Sequence, residues 1–469
     1  MKLLIPLSNM SKILNKLFIV CCLGLGAHAN ALTVGEYTSA LIKTHPYFVQ
    51  LSLSEEASLV DQKAVLTYTD WSIRGSINNS NTSGNNLISR PYSDLNMTAY
   101  EVSARKSIEQ TGGNISLNHT WSLNNRDGII SGVNAIAVDY SQPLLQNKGG
   151  LNDRLGADIA AIEVITQGLN RAEQSESFVA SKIKRLIDLV LAQEKESVYR
   201  QQLSLTIAQL ELAENKLSSG LAERSEVLGE LDAKIRAEQQ WLQSQQELVL
   251  LRQELASQIN IHTSEMVVEL DLYQQHSVVL IDVEVVLPQL RLIRQIQLER
   301  KKLLRQRQSL ENKLLPFVSW SIGLSTQGEA NNYFNGFSNQ DQSWRVGVDV
   351  SYPLGQNKAR LDLQQSDISL ARLNARQREV EMNIKQQISV LASQVDLMHQ
   401  MMQTSLEQMQ IAEDKLREEE LRYANARGQK SGLIGAEKSL NMMNLAYAQV
   451  AANYQKAVVE YRSAIDQLL

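Results

Sequence analysis

The sequence predicts a membrane-type β-barrel, completed by several copies of the chain and continued by a barrel of long α-helical coiled coils. Three observations predict it. The stretch VDYSQPLLQNKGGL at Val138–Leu151 returns as VDVSYPLGQNKARL at Val348–Leu361, with nine of fourteen positions identical. The seven prolines stand at 6, 46, 91, 143, 288, 316 and 353, so nothing interrupts 144–287 or 354–469. Those stretches are rich in Ala, Leu, Gln, Glu, Lys and Arg, all good helix formers. Between them lie short alternating segments that hold four of the five tryptophans, at 71, 121, 320 and 344.

Taken from the N-terminus, residues 1–31 read as a secretory signal peptide. Lys2, Lys12 and Lys16 form a basic front, and Leu17–Leu25 (LFIVCCLGL) is a short apolar core. Ala27-His28-Ala29 and Ala29-Asn30-Ala31 are small-x-small cleavage sites. Cys21 and Cys22, the only cysteines, fall inside this segment, and neither follows the small residue expected before a lipid-modified cysteine. The mature chain is therefore expected to lack disulfides, thiol chemistry and cysteine-held metals. After residue 31 no apolar run reaches the 18 residues or more of a membrane helix. The net charge of −5 and pI of about 5.8 argue against a nucleic-acid binder, which would carry a basic footprint.

The alternating segments Thr67–Asn78, Thr98–Glu109, Asn114–Leu123 and Asn134–Gln142 are expected strands, followed in the second half by Phe317–Gln327 and Ser343–Tyr352. Glu109-Gln110-Thr111-Gly112-Gly113-Asn114 reads as a tight turn between two of them. Trp71-Ser72-Ile73 recurs as Trp320-Ser321-Ile322. Polar loops at Asn79–Ser89 and Gly328–Gln342 separate strands. Pro143 and Pro353 lack a ladder donor and are expected to end theirs, and Gln-Asn-Lys then leads into a helix.

From Leu151 to Ser218 the pattern is helical throughout, roughly 100 Å at 1.5 Å per residue. Helices of that length without caps indicate a coiled coil or helical array. Leu203, Ile207, Leu210 and Leu217 fall at coiled-coil spacing, and Tyr447, Tyr454 and Tyr461 recur every seven residues. The tyrosines are expected to pack between helices. Breaks at Lys216–Ser225 and Arg422–Ser431 read as the tips of two helical hairpins, with Ser225 and Ser431 as expected caps. The chain thus divides into the signal peptide and two repeats. Residues 32–262 supply a helix, strands and a long helical hairpin; residues 263–469 supply a helix, two strands and a second hairpin. An open sheet edge cannot face lipid, and the smallest barrels need about eight strands. One chain offers four to six strands, so other copies must complete the barrel: three copies would give 12 or 18. A soluble coiled-coil protein with a small β-domain would share the pattern; an outward apolar face with aromatic girdles would tell the two apart.

The opening LTVGEYTSALIKTHP, Leu32–Pro46, resembles the start of outer membrane efflux proteins, the TolC family, with His45 where an asparagine is usual. Both Ser-x-Pro-Leu junctions resemble the family's strand-to-helix turns, and the tips its helical hairpins. The likeness runs over nearly all of the mature chain. It implies an internally duplicated protomer in a homotrimer, a trimeric channel-tunnel. Such a channel-tunnel joins a β-barrel in outer-membrane lipid to a periplasmic α-helical coiled-coil barrel. It further implies a passive exit duct of a tripartite efflux or type I secretion system. Its partners would be a periplasmic adaptor (membrane fusion) protein and an inner-membrane transporter. The family's first half supplies two strands; the turn at 109–114 implies two more here, hence four plus two per chain and 18 in a trimer. The alternative is a periplasmic coiled-coil scaffold without transport activity.

The resemblance places entrance, gating and adaptor-contact residues at the tips. Glu223, Arg224, Glu226 and Glu230 are the candidates on the first, and Tyr423, Arg427, Lys430 and Glu437 on the second. Gly432 and Gly435 stand where some members carry aspartates, so a mixed-charge closure is expected rather than an acidic ring. No enzyme is expected. His45, His119, His262, His276 and His399 are scattered, and HExxH, GxSxG and GxxxxGK[ST] are all absent from the sequence. No cofactor or metal is expected.

Overall fold

The structure, a computed structural model, describes residues 31–85, 92–276, 282–331, 335–338 and 340–469. The basic front, apolar core and cysteines of the expected signal peptide lie outside the described residues. The chain forms two compact units. Of the described residues, one holds those within Met1–His45, Ile183–Gln274 and Thr404–Ala452; the other holds those within Pro46–Lys182, Gln275–Gln403 and Asn453–Leu469.

The second unit contains one six-stranded antiparallel sheet: β2 (Ser72–Ser83), β3 (Asp94–Ile108), β4 (Gly113–Arg126), β5 (Ile129–Pro143), β7 (Phe317–Ala330) and β8 (Gln340–Ser351), in that spatial order. All six expected strands are present, four before the first long helix and two between the first and the second. The 109–112 turn joins β3 to β4, as read from the sequence. The first strand starts later than expected. Leu66–Thr69 is a 3-10 turn, closed by Asp70 N donating to Thr67 O at 3.0 Å, so Trp71 precedes β2. The sheet is open: β2 and β8 each have a single neighbour.

The two junctions share sequence but not geometry. β5 ends on Pro143, followed by Asn147 at φ 61° and glycines 149 and 150 at φ 64° and 68°. β8 ends at Ser351, and its helix begins at Asn357. The reason for the first copy's glycines is the β3–β4 turn. A Cβ on Gly112 would lie 2.6 Å from Gly150 N, and one on Gly150 would lie 2.6 Å from Glu109 O. The second copy of the junction has no such hairpin beside it and carries Ala359-Arg360 instead.

Two helices precede the sheet in the chain, α1 (Val34–Thr44) and α2 (Pro46–Val65). Thr33 and Glu36 form a capping box at the head of α1. The long helices are α3 (Leu155–Ser218) and α6 (Asn357–Ala424), each followed by a shorter one, α4 (Arg224–Gln258) and α7 (Lys430–Ala464). α5 (Arg291–Lys313) precedes β7, and a two-residue β6 (Val268–Glu269) pairs in parallel with β1 (Leu32–Thr33). Tyr447, Tyr454 and Tyr461 are all buried, and Tyr447 stacks on Tyr273 with centroids 4.7 Å apart.

The fifth tryptophan holds α4 to α3. Trp241 Nε1 donates to Glu196 Oε1 at 2.9 Å, and Arg200 reaches the same carboxylate at 2.7 Å. Burial pushes the Glu196 pKa up, but the hydrogen bonds from Trp241 and Arg200 outweigh it and hold the carboxyl below its usual value. A depressed carboxylate stabilises the fold above the unfolded value of 4.5 and loses that contribution as pH falls through the folded pKa. Acidification through this window is expected to loosen the α3–α4 pair and red-shift Trp241 emission. Difference spectra against Trp241→Phe would isolate the signal, and Glu196→Gln should abolish the pH-dependent step.

Candidate functional site: the two-faced sheet and the hairpin tips

Register divides the sheet by chemistry. Ile73, Ala104, Leu117, Val138, Leu324 and Trp344 lie opposite one another across all six strands. Next to them, one residue along, run Arg74, Ser103, Asn118, Ala137, Ser325 and Ser343. Successive side chains point to opposite faces, so one face is apolar and the other polar. The apolar face is open to its surroundings: Ile73 is 77% exposed, Trp344 76%, and Val346, Val348 and Val350 are each at least 60% exposed. Isolated exposed apolar residues are ordinary, but a contiguous face of them marks an interaction surface.

Aromatic residues band this face at two levels. Tyr100 stacks on Trp121 at 4.9 Å, and Trp320 meets Tyr140 edge-on at 5.5 Å. Trp121 pairs with Asn134 and Trp320 with Gln142, eight residues apart on β5. At about 3.3 Å per residue that is roughly 25 Å along the strand, close to the apolar band of about 25 Å in transmembrane barrels before any tilt shortens it. Polar residues interrupt the face in one row, where His119, Thr326 and Gln342 align. His119 Nε2 and Asn134 Oδ1 are 3.2 Å apart, and a helical turn at Asn335–Ser338 covers Asn134.

The polar face is lined by Ser, Asn, Thr and Ala. On it Arg345 reaches across β7 to Asp139, 2.6 Å away. The strand between them carries Gly323, where a Cβ would collide with the Asp139 carboxylate.

At the tips the candidate residues gather as the sequence placed them, on the breaks Ser219–Glu223 and Asn425–Gln429 and the turns beside them. Glu223, Arg224, Glu226, Tyr423, Arg427 and Lys430 are exposed; Glu230 and Glu437 are half-buried. Glu230 faces Lys438, whose ammonium burial holds below its usual pKa while Glu230 opposes. Among the described residues none of the eight forms an ion pair. Ser225 and Ser431 are not the caps. Glu223 occupies the cap at φ −92° and ψ 155°, and Ser225 sits inside the first turn of α4, bonding back to Glu223 at 3.3 Å. Ser431 likewise lies inside α7 and bonds back to Gln429 at 3.4 Å. Besides Glu437 on α7, the acidic side chains of the second tip belong to α6. Asp414, Glu418 and Glu419 line a groove of about 600 Å³ with Lys415, Arg422 and Gly432.

Both tips close with the same left-handed residue. Gly220 at φ 68° is followed by Leu221 N donating to Lys216 O at 2.8 Å; Ala426 at φ 54° is followed by Arg427 N donating to Arg422 O at 2.8 Å. Alanine is strained there by about 1 kcal/mol. Ala426→Gly is therefore expected to stabilise the second tip by about that much, read as slower amide exchange over 422–430.

One feature at this end was not drawn from the sequence. Leu228, Ile235, Leu242 and Val249 on α4 recur every seven residues, and each is between 47 and 55% exposed. They form a half-exposed stripe at coiled-coil spacing. Counting sevens through 224–258 would have found it. Of the seam expected on α3, Ile207 and Leu217 are also exposed.

Comparison with solved structures finds the same fold in outer-membrane channels. The CmeC outer membrane channel of Campylobacter jejuni is similar over 93% of this chain and 86% of its own, with a TM-score of 0.66 and 10% identity. The outer membrane protein VceC of Vibrio cholerae matches over 92% and 96%, with a TM-score of 0.65 and 11% identity. The MtrE outer membrane channel of Neisseria gonorrhoeae, in its open state, matches over 93% and 89%, with a TM-score of 0.65 and 13% identity. No protein-family model matches the sequence, and no curated protein matches it significantly.

Proposed function

We propose, from a fold shared with outer-membrane channels, that this chain is one protomer of a homotrimeric, passive exit duct in the outer membrane. The TolC family resemblance supports this reading. The observation that carries it is the two-faced open sheet. An apolar face banded by aromatics suits lipid, a polar face suits a water-filled lumen, and two unpaired edges require neighbours. Three copies of a six-stranded sheet would close an 18-stranded barrel, a size that leaves an aqueous channel. The seam at Leu228, Ile235, Leu242 and Val249 supports association of the helical part, which would lie in the periplasm. The matched helix lengths, 64 and 68 residues for α3 and α6 and 35 for both α4 and α7, support two structural repeats at 32–262 and 263–469. No described helix is long and apolar enough to cross a membrane.

In this reading a periplasmic adaptor and an inner-membrane transporter deliver the cargo. The energy is theirs: the duct conducts and does no chemistry. The test is planar-bilayer conductance of the purified protein, with its oligomeric mass measured in the same detergent. A trimer with discrete pores is the expected result. A soluble protein that never inserts would overturn the duct and leave a periplasmic coiled-coil scaffold.

The tip residues Glu223, Arg224, Glu226, Glu230, Tyr423, Arg427, Lys430 and Glu437 are the proposed entrance and adaptor contacts. Six of them are exposed, and none of the eight forms an ion pair among the described residues, which leaves them available to neighbouring protomers. Glu226→Lys and Arg427→Glu are expected to raise single-channel conductance severalfold by opening a mixed-charge closure. Unchanged conductance in both would remove them from the gate.

A further inference from the structure

The repeated Pro-Leu-x-Gln-Asn-Lys has a job in both copies, and part of it is structural. Gln146 Nε2 donates to Lys313 O at 3.2 Å, and Gln356 Nε2 donates to Leu314 O at 3.2 Å. Each copy thus satisfies carbonyls at the C-terminal end of α5 that no helical N–H can reach. Asn147 N is held by Asn312 Oδ1 at 2.7 Å, and Leu144 N donates to Val318 O at 2.7 Å. The exits of β5 and β8 are therefore pinned on either side of the start of β7, at one end of the sheet.

What this scaffold leaves unused is the leucine and the lysine. Leu144 and Leu145 are 41 and 46% exposed, and Leu354 is 92% exposed. Lys148 and Lys358 are exposed, and neither has a carboxylate within 4 Å among the described residues. Lys313 is exposed at the same end, and Lys106 lies 5.9 Å above the Trp71 ring. Of the neighbouring acids, Asp153 bonds Asn147, Asp158 pairs with Arg305 and Asp367 with Arg307; Asp362, one helical turn on from Lys358, is exposed and lies beyond 4 Å of it. These leucines and lysines stand at the end of the sheet where Tyr140 and Trp320 band the apolar face.

A single exposed leucine needs no explanation. Leucine followed four positions later by an unpaired lysine, twice, at the edge of a lipid-type face, is the arrangement of an interfacial anchor. The apolar side chain enters the acyl boundary, and the ammonium stays with the headgroups. We propose that the two junctions bind anionic phospholipid, with Lys148 and Lys358 taking the headgroup phosphate and Leu144, Leu145 and Leu354 seated against its acyl chains. This rests on the reading of the apolar face as lipid-facing.

The test uses the full-length protein in nanodiscs of equimolar phosphatidylglycerol and phosphatidylcholine, with retained lipid counted by native mass spectrometry. The inserted protein is expected to keep phosphatidylglycerol about tenfold over phosphatidylcholine. Lys148→Gln with Lys358→Gln should bring the ratio near parity, Lys148→Arg with Lys358→Arg should keep it, and oligomeric mass should hold in both. Leu354→Asn should lower total retained lipid. Parity in the unsubstituted protein, or a ratio indifferent to the glutamine pair, overturns the lipid site while leaving the duct standing. Displacement of the lipid by millimolar inorganic phosphate would reveal a free-anion site and overturn it too. Failure to enter any nanodisc would be a failure of the duct itself.

Discussion

Arg291→Met is expected to destabilise the fold by about 3–5 kcal/mol, the range for breaking a buried pair by removing one partner. Arg291 stands at the first position of α5 and meets three carboxylates: Glu176 on α3, Glu173 at 3.0 Å, and Asp466 just after α7 at 3.0 Å. Asp466 also accepts from Arg291 N at 2.7 Å, and Glu176 from Leu468 N at 2.9 Å. Glu176 is 1% exposed, so removing the guanidinium strands a carboxylate away from water. Burial alone would lower the Arg291 pKa; the hydrogen bonds it donates to the Glu176 and Glu173 carboxylates reverse this and hold it above its ordinary value. The cluster joins α3, α5 and the C-terminus within the second unit. Denaturant midpoints of the purified protein would read the loss. Arg291→Met with Glu176→Gln should recover much of it, because no buried charge is then unpaired. If the double variant is as unstable as the single, stranded charge is not the cause.

The second large effect separates the faces of the sheet. Leu117→Arg on the apolar face is expected to cost about 2–4 kcal/mol per chain in a membrane. Asn118→Arg, one residue along on the polar face, should be tolerated. Leu117 sits mid-sheet, between Ala104 and Val138, far from either aromatic level, where an arginine has least chance of reaching headgroups. The readout is the urea midpoint of protein folded into liposomes. A soluble β-domain predicts the reverse: Leu117→Arg adds a charge to a half-exposed surface and costs little. Equal effects at 117 and 118 would mean that the face is not lipid-facing.

Much of this was legible in the residues. Period-two alternation at Asn114–Leu123 and Phe317–Gln327 marked strands, and the glycine pair 112–113 marked the turn between two of them. Proline-free runs of helix formers marked α3 and α6, and glycine and small residues marked the tips. The misses were local competitions. Thr67–Thr69 alternates like a strand but closes a 3-10 turn after α2. Ser225 has a cap's chemistry, but the extended backbone that a cap requires fell to Glu223. The heptad of Leu228, Ile235, Leu242 and Val249 is written in the spacing of α4 itself.

The sequence by itself determined which elements exist, because strand and helix periods are properties of neighbouring residues. It also determined the duplication of the strand-to-helix junction and the polarity of each strand's two sides. The tertiary structure alone decided how those sides line up. Ile73, Leu117, Val138 and Trp344 become one face only through the pairing register of six strands, and a slip of one residue would scatter them. It alone decided that Gly150 must admit a turn 40 residues earlier, and that Arg291, Glu176 and Asp466 form one cluster. Charges separated by more than a hundred positions meet because of where helices pack, and no local period in the chain encodes that.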